Sequence, residues 1–253
     1  MASIVFIGAG NLACSIAPAL QKAGHTLLQV YSRTAESASM LAHTLGCPYT
    51  TALSDIFKEA DFYIYALRDI VYPMPCVSQQ GVHLITSGSI PMSALLSEQP
   101  IHAGIFYPFQ SFSKSQPITD LSQVPILIEA SDNKSLTDIE ELACSISTKV
   151  YHSTADSRAH LHLAGVLANN FSNCLYALAE EQLQKAGLPF DVLLPLIDET
   201  ARKVHHLSPR EAQTGPAVRG DKEVMQKQIE MLNTEEKKQL YQLLSDDILR
   251  HRS

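Results

Sequence analysis

Four apolar residues, Ile4-Val5-Phe6-Ile7, run directly into Gly8-Ala9-Gly10-Asn11-Leu12-Ala13, and a helical pattern takes over from Asn11 to Ala23. Few folds are open to a strand that turns into a helix through G-x-G-x-x-A. Gly8 permits the tight turn, Gly10 leaves room for a pyrophosphate to approach the backbone, and Ala13 lets the helix lie close to the sheet. Unpaired N–H groups and the positive end of the helix dipole then face the phosphates. Gly8, Gly10, Asn11 and Leu12 are accordingly assigned to a bound dinucleotide. The competing reading is a glycine-rich turn that holds no ligand.

The next segments repeat the alternation. Strand-like runs at Leu27 to Tyr31, Phe62 to Tyr65 and Val82 to Ile85 are separated by stretches able to form crossovers, at Ala35 to Leu45, Leu53 to Glu59 and Pro73 to Gln79. Further strands are expected at Ile101 to Tyr107, Val124 to Ala130 and Thr148 to Ser153, with a helix at Lys134 to Ser147. Strand, helix, strand in series predicts an α/β domain with a doubly wound, mostly parallel sheet and helices on both faces. After Thr154 the strand signal stops. Residues 1–154 hold seven Lys/Arg and twelve Asp/Glu, whereas the shorter remainder holds twelve and fourteen, so a boundary is expected between 154 and 155.

Residues 157–186 carry Leu161, Leu163, Leu167, Phe171, Leu175 and Leu178 at helical spacing, before Gly187-Leu188-Pro189 stops the pattern. At ~1.5 Å per residue such a helix is roughly 45 Å long, too long to serve one small domain, and so is expected to carry a domain or dimer interface. Later helices are expected at Phe190 to Val204, kinked at Pro195, at Lys222 to Leu232 with Asp221 as its cap, and from Thr234 to His251.

Composition excludes several functions. A net charge of −7 without a block of Lys or Arg argues against nucleic acid or an anionic membrane as partner. Five cysteines with no CxxC spacing point to a reducing, cytoplasmic compartment rather than a disulfide framework. The first cation, Lys22, comes too late for a secretory signal, and no later stretch has the length and flanks of a membrane span. His205-His206 lacks a third ligand at metal spacing, so no metal site is expected.

The end of the second strand, Gln29-Val30-Tyr31-Ser32-Arg33-Thr34, bears on the choice of cofactor. An NAD site wants a carboxylate there for the ribose hydroxyls, but none occurs before Glu36. Arg33 instead offers a charged donor fork to a 2′-phosphate, and Ser32 and Thr34 add hydroxyls, which favours NADP. Open sheets bind ligands beyond the carboxyl ends of their strands. That selects Ala66-Leu67-Arg68-Asp69 and Thr86-Ser87-Gly88-Ser89, with Ala66, Leu67, Ser87 and Gly88 flanking the ribose and nicotinamide. Arg68 and Asp69 could equally form a surface ion pair.

Residues 1–154 resemble the NADP-binding domain of pyrroline-5-carboxylate reductases and deazaflavin-dependent NADP oxidoreductases, through Ile7-Gly8-Ala9-Gly10-Asn11-Leu12 and Tyr31-Ser32-Arg33. The whole chain is similar to a Rossmann-like family with an uncharacterised C-terminal domain. That likeness rests on Thr86-Ser87-Gly88, Tyr107-Pro108-Phe109-Gln110-Ser111-Phe112, His162-Leu163-Ala164-Gly165-Val166 with Asn170, and Thr214-Gly215-Pro216-Ala217-Val218-Arg219-Gly220-Asp221. Relatives carry His where this chain has Tyr107. The resemblance implies a Rossmann-type domain followed by an all-helical C-terminal domain of the 6-phosphogluconate dehydrogenase type, frequently dimeric.

On an ideal helix Arg158, His162, Asn169 and Asn173 fall near one line, with Asn170 on its flank. Polar side chains on an apolar helix either face a cleft or make structural hydrogen bonds. His162 suits a general acid, Asn170 a contact to substrate or the nicotinamide amide, and Thr214, by analogy with the reductases, a substrate loop. Gln110, Asn169 and Arg219 are assigned to substrate, Arg219 as a carboxylate grip or, equally, as the partner of Asp221 or Glu223 in an ion pair. Two functions remain open. One is an NADP-dependent oxidoreductase moving hydride between the nicotinamide and a small carbonyl, imine or similar acceptor, with a small-molecule substrate and a homodimeric state. The other is a non-catalytic NADP(H)-binding sensor or scaffold dimer.

Overall fold

The computed structural model describes residues 1–251, which form two compact units, Met1–Asn173 and the chain from Cys174 onward. The first contains β1 (Ser3–Ile7), α1 (Ala13–Lys22), β2 (Thr26–Tyr31), α2 (Ala35–Leu45), β3 (Tyr49–Thr50), β4 (Phe62–Tyr65), β5 (Met74–Pro75), β6 (Val82–Ile85) and β7 (Leu95–Leu96). It continues with β8 (His102–Pro108), β9 (Ile126–Ala130), α3 (Asn133–Cys144), β10 (Val150–His152) and α4 (Ala155–Gly165). Eight strands make one sheet in the order β10-β9-β8-β6-β4-β1-β2-β3, and β5 pairs with β7 apart from it. Every pairing in the large sheet is parallel except β8 with β9. The chain winds outward from β1 to β3, then returns to lay β4, β6 and β8 on the other side. Strand order therefore reverses between β1 and β4, the place where open α/β sheets open a ligand crevice.

Strand alternation sends Ile4 and Phe6 to one face, where Ile16 and Leu20 of α1, Leu41 and Leu45 of α2, and Ile139 and Leu142 of α3 cover them. Val5, Ile7, Tyr63, Tyr65, Ile85 and Ile105 point to the other face. There the cover is irregular chain: Ile56, Met74, Val77 and Leu95 pack down in place of helical residues. The crossovers at Leu53 to Glu59 and Pro73 to Gln79 are thus not helices. The first holds only a short 3-10 turn, and in the second Pro73 and Pro75 deny the backbone donors a helix needs.

Helical structure runs from Ala155 to Ala186, but Val166–Phe171 is a π-helical turn between α4 and α5 (Ser172–Ala186). The wider turn breaks the 100° step, so the single line through His162, Asn169 and Asn173 does not survive. Arg158 departs from it for another reason. Its side chain is 2% exposed, ion-paired with Glu129 of β9, and donates to Ser153 Oγ at 3.2 Å. It ties α4 to the sheet and faces no cleft.

Among its described residues the second unit holds helices and no strand, with α6 (Leu194–Lys203), α7 (Pro216–Arg219), α8 (Lys222–Glu230) and α9 (Glu235–Arg250). Gly187, at φ +69°, ends α5, and Asp221 caps α8 by accepting from Val224 N at 3.2 Å. Pro195 sits in the first turn of α6, where its missing N–H is harmless, and starts the helix without kinking it. No helix among the described residues is long and apolar enough to cross a membrane.

One buried histidine gives the first unit a pH signature. His83 is fully buried, stacked on Tyr63 with ring centroids 4.8 Å apart, and its Nδ1 lies 3.0 Å from Tyr65 Oη. Burial depresses its pKa from 6.5 to about 4. Between those values the unfolded chain binds a proton that the folded chain refuses, so stability is complete above pH 6.5 and falls as pH drops toward 4. Chemical denaturation should show a loss of about 2–3 kcal/mol between pH 7 and 4.5 from this group. In His83→Asn the loss over that interval should shrink; an unchanged slope would assign the effect elsewhere.

Candidate functional site

The turn after β1 stands at the topological switch point, and its backbone is held tightly. Gly8 adopts φ +114°, donates its N–H to Tyr31 O at 2.8 Å, and leaves so little space that a Cβ would lie 2.2 Å from Ala66 O. Gly10 is different. A Cβ there would meet nothing nearer than Ala66 O at 3.9 Å, so its missing side chain leaves open room over the turn. Leu12, the N-cap of α1, makes no side-chain cap bond, and no acidic residue occupies the first turn of that helix. Open backbone donors, free approach above Gly10 and no competing carboxylate fit a dinucleotide pyrophosphate.

Ser32, Arg33 and Thr34 follow β2 at the same edge of the sheet. Ser32 N donates to Thr50 O at 3.2 Å, which fixes the turn, while Arg33 and Thr34 are exposed and Thr34 makes no cap bond to α2. Ala66 and Leu67 follow β4, half-buried beside Gly8, and Ser87 and Gly88 follow β6. Ser87 Oγ shares a hydrogen bond with Ser89 Oγ at 3.0 Å, and the Ser89 hydroxyl in turn donates to Asp69. Asp69 is therefore engaged by Ser89, not by Arg68.

A residue that sequence reasoning left without a role lies at the centre of this group. Tyr107, near the end of β8, presses its ring onto Gly88, where a Cβ would lie 2.5 Å from the ring, and its hydroxyl is 3.3 Å from His162 Nδ1. Burial, with a smaller contribution from the Asp69 charge, raises the Tyr107 pKa, so the phenol stays protonated. His162 is exposed on α4 and keeps access to solvent protons. The structure thus joins a neutral phenol to an imidazole beside the β6 turn. The signal in the sequence was a tyrosine placed directly before Pro108-Phe109 at the end of the expected strand.

Other nominated residues are placed differently. Gln110 Oε1 accepts from the adjacent Ser111 N at 2.8 Å, so part of its side chain is spent locally. Asn169 and Asn170 are exposed within the π-helical turn. Thr214 and Arg219 belong to the second unit: Thr214 is exposed before Gly215, at φ +115°, and Arg219 is the exposed last residue of α7. Among the described residues no three His, Cys, Asp or Glu side chains are grouped to hold a metal, and His205 and His206 merely neighbour one another.

The strand order, the Gly8 turn and the β6 edge define a Rossmann-type nucleotide-binding protein. Residues 3–74 match the family described as NADP oxidoreductase, coenzyme F420-dependent, and residues 124–248 match a domain of unknown function, DUF2520. A protein from Bacteroides fragilis, assigned as an NADP oxidoreductase, is 43% identical over 98% of both chains with a TM-score of 0.89. The chain belongs to this family of NADP oxidoreductases with a DUF2520 C-terminal domain. A protein from Thermotoga maritima shares its fold at 21% identity and a TM-score of 0.76, over 98% of this chain and 99% of the other. So does 1-pyrroline-5-carboxylate reductase from Streptococcus pyogenes, at 12% identity and a TM-score of 0.62 over 98% of each. No curated protein matches the chain.

Proposed function

We propose that the protein is an NADP(H)-dependent oxidoreductase that reduces a small carbonyl, imine or similar electrophile. The observation that carries this reading is the Tyr107–His162 pair set against Gly88, at the sheet edge that also holds the Gly8 turn. A nicotinamide bound at that edge supplies hydride. The chain supplies the rest. Gly8, Gly10, Asn11 and Leu12 receive the pyrophosphate, Ser32, Arg33 and Thr34 the 2′-phosphate, and Ala66, Leu67, Ser87 and Gly88 the ribose and carboxamide. Tyr107 holds a proton where negative charge develops on the acceptor's oxygen or nitrogen, and His162 returns a proton to the phenol from solvent. Asn170 offers an amide to the substrate, with Gln110 and Asn169 as further contacts. A sensor has no need of a proton-holding pair at this edge, so the catalytic reading is preferred.

Selectivity tests the cofactor. Wild type should bind NADPH more tightly than NADH in a fluorescence titration, and Arg33→Ala should lose about 1.5–3 kcal/mol toward NADPH only. Preference for NADH, or an equal loss for both, would contradict the assignment of Ser32, Arg33 and Thr34.

The working form is proposed to be a homodimer. Among the described residues of the second unit only Ala217, Met225 and Ser245 are buried, while Leu175, Met231, Leu240 and Leu244 line an apolar groove of about 420 Å³. A helical unit so poor in buried side chains leaves apolar surface that an obligate partner covers, and a second copy is the partner always present at equal concentration. Sedimentation at micromolar concentration should give a dimer; a monomer across that range would overturn it.

A further inference from the structure

The segment between β8 and β9 crosses back over the nucleotide turn and is pinned there. Lys114 N donates to Asn11 Oδ1 at 3.3 Å, Ile118 N donates to Ser15 Oγ at 3.0 Å, and Phe112 and Ile118 pack against the core cluster beneath. This anchoring delivers the Lys114 ammonium to the first turn of α2, where its Nζ donates to Ser37 Oγ at 3.4 Å. The same charge is close enough to α1 to oppose the rise that burial causes in the Cys14 pKa.

Ser37 lies four residues beyond Arg33, so a cation from a loop remote in sequence reaches the same turn as the cation at the end of β2. Among the described residues neither Arg33 nor Lys114 belongs to an ion pair, although Glu36 lies between Arg33 and Ser37 in the chain. One hydroxyl at 3.4 Å is a poor sole partner for an ammonium, which carries three donors. Two cations outside any ion pair among the described residues, with the hydroxyls of Ser32, Thr34 and Ser37 beside them, suit a dianionic phosphomonoester better than a neutral ribose.

We propose that Lys114 is a second determinant of cofactor choice, and that it binds the 2′-phosphate of NADP(H) together with Arg33. This rests on the NADP(H) reading of the site. Because the loop that presents Lys114 is bonded to Asn11, the pyrophosphate turn and the 2′-phosphate contact are held by one segment. The ammonium therefore arrives already positioned.

Calorimetric titration with NADP⁺ and NAD⁺ separates the two claims without requiring turnover. Lys114→Met should weaken NADP⁺ binding about tenfold or more while NAD⁺ binding stays within about twofold, since the charge-assisted contact to phosphate and the long bond to Ser37 are lost while the backbone bond to Asn11 that anchors the loop is kept. Lys114→Arg should retain the preference, and the double variant with Arg33→Ala should bind the two nucleotides alike. If Lys114→Met leaves NADP⁺ affinity unchanged, or lowers both affinities equally, Lys114 only holds the loop and the proposal is overturned. Should wild type prefer NADP⁺ and respond to Arg33→Ala alone, the cofactor reading stands and this inference falls. If wild type shows no preference for NADP⁺, both fall.

Discussion

Gly10→Ala should abolish most nucleotide binding and leave the melting temperature within a few degrees of wild type, whereas Gly8→Ala should damage the fold itself. The contrast follows from what each new Cβ would meet. At position 10 the nearest atom is Ala66 O at 3.9 Å, an ordinary contact, so the protein accommodates the methyl group. The space it fills is the space through which a pyrophosphate reaches the backbone, and a loss of ~2 kcal/mol or more in NADPH affinity is expected. At position 8 the methyl would stand 2.2 Å from Ala66 O on a residue held at φ +114°. Either β1 or β4 must move, at a cost of several kcal/mol. Thermal melts and NADPH titrations on the two variants check both halves. Full nucleotide affinity in Gly10→Ala would remove the pyrophosphate from this turn.

Tyr107→Phe and His162→Ala should each lower the rate of NADPH oxidation ~10²–10⁴-fold once a reducible substrate is in hand, with NADPH affinity nearly unchanged. Phenylalanine preserves the ring that packs against Gly88 and the edge contact with Phe109, at 6.0 Å between centroids, so the variant keeps the local packing. Only the hydroxyl is lost. Because the two residues share one proton path, the double variant should be little slower than either single one. Additive losses would mean that they act separately, and wild-type turnover in His162→Ala would make the imidazole structural.

Local features were legible because local physics fixes them. The run Ile4 to Ile7 and the tight turn at Gly8 are each set by a few neighbours in the chain. Strands β4, β6, β8, β9 and β10 lie within a few residues of where the sequence places them, since β-branched and aromatic runs buried on both faces look alike wherever they occur, whereas the two-residue strands β3, β5 and β7 carry no such run. What stayed hidden depends on pairs far apart in the chain. Tyr107 meets His162 across 55 positions and Lys114 meets Ser37 across 77, and no periodicity encodes either meeting. Arg158 looked like part of a polar stripe because Glu129 lies 29 residues upstream on a strand. The π-helical turn at Val166–Phe171 has no sequence signature of its own, and it undid an angular argument that assumed a regular helix.

The central claim is transfer of hydride from a nicotinamide to a small electrophile, and isotope transfer tests it most directly. Wild-type protein is incubated with NADPH carrying deuterium at C4, separately in each stereochemical form, and a panel of small oxo acids, aldehydes and cyclic imines, with products read by mass spectrometry. The account predicts one deuterium on the reduced carbon of at least one product, from one stereochemical form only. NADPH that binds tightly yet passes deuterium to no acceptor across the panel, or is consumed without labelling the product, would contradict it.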